Sequence, residues 1–168
     1  MTEAMHNDRG MGRPNVLVLG VGNESLTDEG LGAVAARRIA RRPVPGVEVV
    51  IGQAPGLSLT EVIEDRDCVL LLDAVQAAGS SPGDVIVLRD EEVRGAQHRL
   101  MSIGPAGLGE ALDAAERAGR APRHLAAVGM VPNRLVGGYG LSEAVWVRLV
   151  EFVGTARAML REWEVPDA

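Results

Sequence analysis

The amino-acid sequence predicts an α/β fold, a single doubly wound, mainly parallel five-stranded sheet with helices on both faces. Three observations predict it. Short apolar runs alternate with amphipathic stretches, which is the pattern of strands connected through helices. Two of these runs, residues 15–20 (NVLVLG) and 67–73 (DCVLLLD), are almost continuously apolar, as in strands covered on both faces. The chain has 168 residues, enough for one domain, and 46% of them are hydrophobic.

The elements follow in order along the chain. Five strands are expected at residues 15–20, 47–51, 67–73, 85–88 and 124–131, and four helices at residues 29–42, 57–64, 105–118 and 142–164. The polar residues 1–13 are expected to form a flexible leader, which leaves residues 14–168 as one domain. Residues 90–104 show no periodicity and are expected to form a surface loop.

The last helix has the clearest amphipathic pattern. Ser142 is its expected N-cap, and Glu143 lies in its first turn. Its buried face is expected to carry Trp146, Leu149, Val150, Val153, Leu160 and Trp163.

The composition excludes several classes of protein. All 17 basic residues are Arg, so mechanisms that need a lysine, such as a Walker-type phosphate loop or a Schiff base, are impossible. A net charge of −6 argues against binding to nucleic acid. The single cysteine, Cys68, excludes an internal disulfide and is expected to be a small buried hydrophobe. No apolar run is long enough to span a membrane and no signal peptide is recognisable, so we expect a cytoplasmic protein.

Acidic residues follow the first and third strands. In open parallel sheets, ligands bind beyond the carboxyl ends of the strands, where the strand order reverses. That rule selects residues 20–30 (GVGNESLTDEG) and Asp73 at the end of the third strand. In a 2-1-3 strand order the two strands are neighbours, and Glu29 and Asp73 face each other across the crevice.

Simpler interpretations of these residues remain open. Asp28 and Glu29 are also suited to complement the positive end of the following helix, and Asp73 is suited to cap the next loop. The glycines of GVG begin like a dinucleotide fingerprint, but Ser25 stands where the third glycine belongs, which argues against a nucleotide cofactor. Neither an H-E-x-x-H nor a G-x-S-x-G motif is present, so a zincin or a serine-hydrolase elbow is not expected.

The three histidines are scattered along the chain. His6 lies in the leader and is expected to be solvated, and His124 opens the fifth strand and is expected to be structural. His98 falls in the predicted loop and is a candidate site residue.

Four segments, in this order and spacing, resemble the maturation endopeptidases of nickel–iron hydrogenases. They are residues 16–32 (VLVLGVGNESLTDEGLG), 70–75 (LLLDAV), 81–93 (SPGDVIVLRDEEV) and 128–132 (VGMVP), the last followed by GLS before the final helix. The resemblance extends from Asn15 over nearly the whole chain and implies a five-stranded α/β fold.

The resemblance also implies an activity. Such proteins remove a C-terminal extension from the hydrogenase large-subunit precursor once nickel is installed, and they sense nickel through two carboxylates and a histidine. The carboxylates correspond to Glu29 and Asp73, which are therefore the expected catalytic and metal-binding residues. Carboxylate and imidazole groups are suitable ligands for a divalent nickel ion that substrate thiolates already hold. Nickel is thus expected to arrive with the precursor, which is the expected partner of a monomeric protein.

The histidine of the family corresponds to Gly104 in residues 102–108 (SIGPAGL). His98, six residues upstream, is the candidate replacement as third metal ligand. Residues 52–56 (GQAPG) also depart from the acidic glycine-rich motif of the relatives. The missing histidine keeps a second hypothesis open, a non-proteolytic maturation protein of the same fold that recognises the metal-loaded precursor. The incomplete glycine fingerprint counts against a third, an unrelated cofactor-binding enzyme.

Overall fold

The computed structural model describes residues 15–52 and 58–164, which contain one five-stranded sheet. Its strands are β1 (Val16–Val21), β2 (Val47–Gly52), β3 (Cys68–Ala74), β4 (Val85–Arg89) and β5 (His124–Met130). They lie in the order β2-β1-β3-β5-β4. β1 pairs in parallel with β2 and β3, and β3 with β5, whereas the edge strand β4 is antiparallel to β5. The predicted mainly parallel sheet and its 2-1-3 order are confirmed.

Helices cover both faces of this sheet. In the described residues they are α1 (Leu31–Arg41), α2 (Leu59–Ile63), α3 (Glu91–Ala96), α4 (Leu108–Arg117), α5 (Glu143–Trp146) and α6 (Leu149–Glu164). Because successive strand residues point to opposite faces, the sheet has two apolar surfaces. One packs against α1, α5 and α6, and the other packs against α2, α3 and α4. The predicted doubly wound arrangement is therefore confirmed.

Cys68 starts β3 and is buried, as expected. Burial raises the pKa of its thiol to about 11. No helix in the described part of the chain has the length and apolar character needed to cross a membrane. The predicted leader with His6, and residues 53–56 of the GQAPG segment, lie outside the described residues.

The prediction that residues 90–104 form a surface loop is wrong. α3 and a 3-10 turn (Gln97–Arg99) occupy much of this segment, and Val93, Leu100 and Ile103 are fully buried. Six residues make fewer than two helical turns, so α3 is too short for its apolar periodicity to be recognised. This segment covers one face of the sheet at the end of β3.

The last predicted helix is interrupted. α5 ends at Trp146, the chain turns at residues 147–148, and α6 begins at Leu149. The prediction that Trp146 and Val150 are buried is wrong, because 54% and 74% of their surfaces are exposed. The buried face continues across the turn and carries Val145, Leu149, Phe152 and Ala156, so Trp146 and Val150 lie next to this face on the solvent side. Ser142 precedes α5 but makes no side-chain cap hydrogen bond.

Candidate functional site

Close backbone packing shapes the carboxyl ends of β1 and β3, where the sequence places its candidate site. At Gly22 an added Cβ would lie 2.1 Å from the backbone oxygen of Glu29. At Gly32 it would lie 2.2 Å from the backbone oxygen of Leu72 and 2.5 Å from that of Val21. Neither position has room for a side chain, so the segment leading into α1 rests directly on the two strand ends. This packing accounts for glycines that resemble part of a dinucleotide fingerprint.

Glu29 lies in the 3-10 turn (Thr27–Gly30) that precedes α1. Its side chain is partly exposed, and its carboxylate makes no hydrogen bond or ion pair with the residues that the structure describes. The loop before it is anchored separately, because Glu24 accepts two hydrogen bonds from Arg37 at 2.8 and 3.0 Å. Glu29 is therefore held in place by its backbone, and its carboxylate is available to an incoming ligand.

Asp73 is fully buried near the end of β3. Its Oδ1 accepts a hydrogen bond from the backbone N–H of Ala74 at 2.8 Å. Its Oδ2 accepts two, from the backbone N–H groups of Ser102 at 2.9 Å and Ile103 at 2.8 Å. A carboxylate has about four lone-pair positions, so the backbone leaves one of them, on Oδ1, without a donor.

The environment of Asp73 perturbs its ionisation. Burial raises the pKa of this carboxyl group to about 7, although the backbone N–H groups of Ile103, Ser102 and Ala74 oppose the rise. A carboxyl group that titrates near neutral pH at a ligand-binding edge is a typical feature of functional sites. The sequence could locate Asp73 at the end of an apolar strand, but it could not identify the backbone N–H groups of Ser102 and Ile103 that bind it.

Asp28 has a structural function that the sequence did not reveal. It is fully buried, and its Oδ1 accepts a hydrogen bond from the backbone N–H of Ser142 at 2.7 Å. Its Oδ2 accepts three more, from the backbone N–H groups of Asn133 and Arg134 and from the Ser142 hydroxyl, at 2.7 to 2.9 Å.

These bonds fasten the segment between β5 and α5 to the turn before α1. Burial acts to raise the pKa of Asp28, but the hydrogen bonds from Ser142, Arg134 and Asn133 outweigh it, so that the pKa is lowered. The bonded residues are 105 to 114 positions apart in the chain. No local pattern could have indicated a pairing over such a distance. The hydrogen bonds of the Asp28 carboxylate come from residues 133, 134 and 142, and not from the N-terminus of α1 where the sequence suggested it.

His98 does not form a metal-binding group with Glu29 and Asp73 in the described part of the chain. It is exposed in the 3-10 turn (Gln97–Arg99) and lines an open cleft of about 520 Å³ with Arg94, Glu110 and Asp113. Over the described ranges, no three His, Cys, Asp or Glu side chains are arranged to hold a metal ion. The structure therefore does not bring His98 together with Glu29 and Asp73, and its role as third ligand stays a prediction.

Gly104 lies beside the turn that holds Asp73, since the preceding residue, Ile103, donates to that carboxylate. An added Cβ at Gly104 would lie 2.4 Å from the backbone oxygen of Gln97 and 2.6 Å from that of Leu100. Any side chain here requires the backbone to move. A histidine at the position where the resemblance implies one would therefore require this turn to shift.

Known proteins resemble this chain over most of its length. A family model described as hydrogenase maturation protease matches residues 34–158. The chain is 33% identical over 149 residues to the hydrogenase 2 maturation protease of Escherichia coli, which covers 88% of this chain and 91% of that protein. It is 35% identical over 154 residues to the hydrogenase expression/formation protein HupD of Bradyrhizobium diazoefficiens, covering 89% and 80% of the two chains.

Solved structures agree with these sequence relationships. The hydrogenase maturating endopeptidase HybD from Escherichia coli aligns with a TM-score of 0.81 at 33% identity, covering 88% of this chain and 93% of that one. The [NiFe] hydrogenase maturation protease HybD from Thermococcus kodakarensis aligns with a TM-score of 0.71 at 25% identity, covering 86% and 98%. The family model spans three quarters of the chain, and the Escherichia coli and Bradyrhizobium diazoefficiens relatives are 33% and 35% identical to this chain. This chain therefore belongs to the hydrogenase maturation protease family.

Proposed function

We propose that this protein is an endopeptidase that removes a C-terminal extension from the nickel-loaded large-subunit precursor of a nickel–iron hydrogenase. Membership of the maturation protease family supports the reaction class. The observation that carries the assignment to this site is the pair of acidic residues at one edge of the sheet. Glu29 has an unpaired carboxylate there, and Asp73 retains one lone pair that the backbone does not use.

In this proposal nickel is part of the substrate. A nickel ion held by precursor thiolates can still accept oxygen ligands, and two carboxylates supply the negative charge that such a cation favours. The chain offers this site no cysteine, because Cys68 is buried at the opposite end of β3. Without a third His, Cys, Asp or Glu ligand in the described residues, the protein by itself is expected to bind divalent ions weakly. The ion, supplied by the precursor, then distinguishes loaded from unloaded substrate.

The two carboxylates differ in accessibility, and this sets an order of contact. Glu29 is partly exposed and meets the substrate first, whereas Asp73 has no exposed surface. Contact with Asp73 requires local opening of residues 101–107, a run of turns whose backbone covers that carboxyl group. Once the scissile peptide is bound, a carboxylate at this edge is placed to take a proton from the attacking water.

The direct test compares two forms of one precursor. Purified large-subunit precursor, with and without nickel, is incubated with the protein, and its mass is measured by mass spectrometry. The proposal predicts loss of a C-terminal fragment from the nickel-loaded form only. Equal cleavage of both forms would contradict the nickel requirement, and an intact mass in both would contradict the peptidase assignment.

A second candidate function is supported by the crowding at Gly104. A protein with Gly104 where the resemblance implies an imidazole, and whose backbone would have to shift to admit one, is suited to recognise the loaded precursor without cutting it. This alternative predicts a nickel-dependent complex in size-exclusion chromatography while the precursor mass stays unchanged. Release of a fragment in the preceding experiment excludes it.

A further inference from the structure

Ser102 has a hydroxyl group whose position the fold does not explain. The residue is only 5% exposed, and its backbone N–H donates to Asp73 Oδ2 at 2.9 Å. Its Oγ is, within residues 15–52 and 58–164, the one buried side-chain nitrogen or oxygen that has no hydrogen-bond partner. Buried polar groups are nearly always hydrogen-bonded, so an exception at a candidate site calls for a specific explanation.

The hydroxyl also lies next to the functional carboxyl group. Ser102 Oγ is near enough to Asp73 to help lower the pKa of that carboxyl, although it does not meet hydrogen-bond geometry. The backbone N–H groups of Ser102 and Ile103 fix the turn against Asp73. The side chain is therefore held beside the carboxyl group with its donor unused.

The chemistry of the proposed substrate supplies a partner. A peptidase substrate presents backbone carbonyl oxygens, which accept hydrogen bonds and gain negative charge during attack at the carbonyl carbon. A neutral hydroxyl donor beside an acidic site can contact such an oxygen without adding charge of its own. In the free protein Ser102 is buried, so its hydroxyl reaches a bound peptide through the same local opening of residues 101–107 that contact with Asp73 requires.

We propose that Ser102 is a substrate-binding residue whose hydroxyl donates a hydrogen bond to a backbone carbonyl oxygen of the precursor at the Asp73 end of the site. The inference rests on the proposed function above, and it adds a third group to Glu29 and Asp73. In the free protein the hydroxyl has no partner, and the bound peptide provides one.

Thermal unfolding of two alanine variants separates this role from a structural one. Removing an unpaired buried hydroxyl should leave stability unchanged or raise it, so Ser102→Ala is expected to have the Tm of the wild type or higher. The matched control is Ser142→Ala, which removes a hydroxyl that donates to Asp28 at 2.7 Å and should lower the Tm. If Ser102→Ala lowers the Tm as much as Ser142→Ala does, the hydroxyl is part of the fold and the proposal is overturned.

The second measurement is the affinity for nickel-loaded precursor, obtained by calorimetry or surface plasmon resonance. Ser102→Ala and Ser102→Cys should both weaken binding by roughly tenfold, because each loses one good donor and Cys nearly preserves the side-chain volume. Binding of nickel chloride alone should be the same in the wild type and both variants. Unchanged affinity for the precursor in Ser102→Ala, or a loss confined to nickel chloride, would overturn the proposal.

Measuring the affinity separately from the cleavage of the precursor keeps the two proposals distinguishable. If the wild type binds the loaded precursor without cutting it, the endopeptidase assignment fails, but a tenfold loss in Ser102→Ala still supports the role of Ser102. If the wild type cuts and Ser102→Ala binds and cuts equally well, the endopeptidase assignment stands and Ser102 is excluded.

Discussion

Asp28 and Asp73 are both fully buried carboxylates that accept backbone hydrogen bonds, yet their pKa values shift in opposite directions. Asp28 accepts four hydrogen bonds from Asn133, Arg134 and Ser142, and these outweigh its burial. Asp73 accepts three and lies deeper, within a strand between the two apolar faces of the sheet. A carboxylate whose four lone-pair positions all accept hydrogen bonds from the protein holds two segments together. A carboxylate with one unused lone pair can still bind a ligand.

The adjacent residues Asp28 and Glu29 differ in the same way. Asp28 connects the turn before α1 to the segment before α5, and Glu29 next to it has no partner among the described residues. One acid of the pair therefore stabilises the fold, which leaves the other free for function.

The pH dependence of stability should reveal Asp73. Its pKa rises from an ordinary 3.8 to about 7 in the folded protein, so the folded state binds this proton more tightly than the unfolded state. The free energy of unfolding should fall by up to about 4 kcal/mol as the pH rises from about 4 to 7, at about 1.4 kcal/mol per pKa unit. Urea unfolding of the wild type and Asp73→Asn across this range measures it. Equal slopes in the two proteins would show that Asp73 is not perturbed.

Replacing Asp28 should destabilise the protein strongly. Asp28→Ala leaves three backbone N–H groups and the Ser142 hydroxyl without their acceptor, so the free energy of unfolding should fall by about 3 kcal/mol. The matched control is Asp84→Ala, which removes a carboxylate that accepts one exposed backbone hydrogen bond from Ser81 at 2.9 Å. That loss should stay below about 1 kcal/mol. Urea unfolding at neutral pH measures both values. Similar losses of unfolding free energy in the two variants would contradict a structural role for Asp28.

Asp28 should also respond to pH in the direction opposite to Asp73. Because its pKa is lowered in the folded protein, its stabilising contribution is present above the ordinary pKa of an aspartate and is lost as the pH falls through the lowered value. The difference in stability between the wild type and Asp28→Asn should therefore shrink in acid. A difference that is constant down to the acid transition would contradict this assignment.

Adding a histidine at Gly104 should damage the turn that holds Asp73. The new Cβ would lie 2.4 Å from the backbone oxygen of Gln97, so Gly104→His should lower the free energy of unfolding by about 2 kcal/mol. Gly95→His is the control, since no atom lies within 4 Å of a Cβ at Gly95, and it should have little effect. A Gly104→His variant that is as stable as the wild type and binds nickel chloride more tightly would show that position 104 can hold a side chain. It would also support an arrangement with three metal ligands.

The smallest expected effect comes from one hydroxyl of the Asp28 network. Ser142→Ala removes the 2.7 Å bond to Oδ2 but keeps the backbone N–H that binds Oδ1. The free energy of unfolding should fall by about 1.5 kcal/mol, as for a hydrogen bond to a charged group. Thr155→Ala, which loses an exposed hydroxyl bond within α6, should change it by less than about 0.5 kcal/mol. Identical values for the two variants would place Ser142 outside the network.

The sheet could be predicted because apolar runs and strand-end rules depend on local sequence. NVLVLG and DCVLLLD identify β1 and β3, and the 2-1-3 order then places Glu29 and Asp73 at the same edge. The family resemblance extended this to an expected chemistry. These inferences need only the periodicity of strands and the direction in which they run.

The rest depends on contacts between distant segments, which local patterns do not contain. The four hydrogen bonds of Asp28 reach residues over 100 positions away, and Ser102 is buried because its turn packs against Asp73 of β3. The crowding at Gly104 comes from backbone oxygens of Gln97 and Leu100. The helical spacing predicts Trp146 on the buried face, yet Val145 occupies that face and Trp146 is exposed beside Arg38.

The central claim is that Glu29 acts on the substrate while its neighbour Asp28 maintains the fold. The most direct measurement is the mass of the large subunit when its precursor is produced together with wild type, Glu29→Gln or Glu61→Gln. Glu61 is an exposed residue of α2, and Glu61→Gln is the matched control for loss of one charge. Trimmed subunit is expected with the wild type and Glu61→Gln, but full-length subunit with Glu29→Gln, whose Tm should equal that of the wild type. Normal trimming by a folded Glu29→Gln would contradict it.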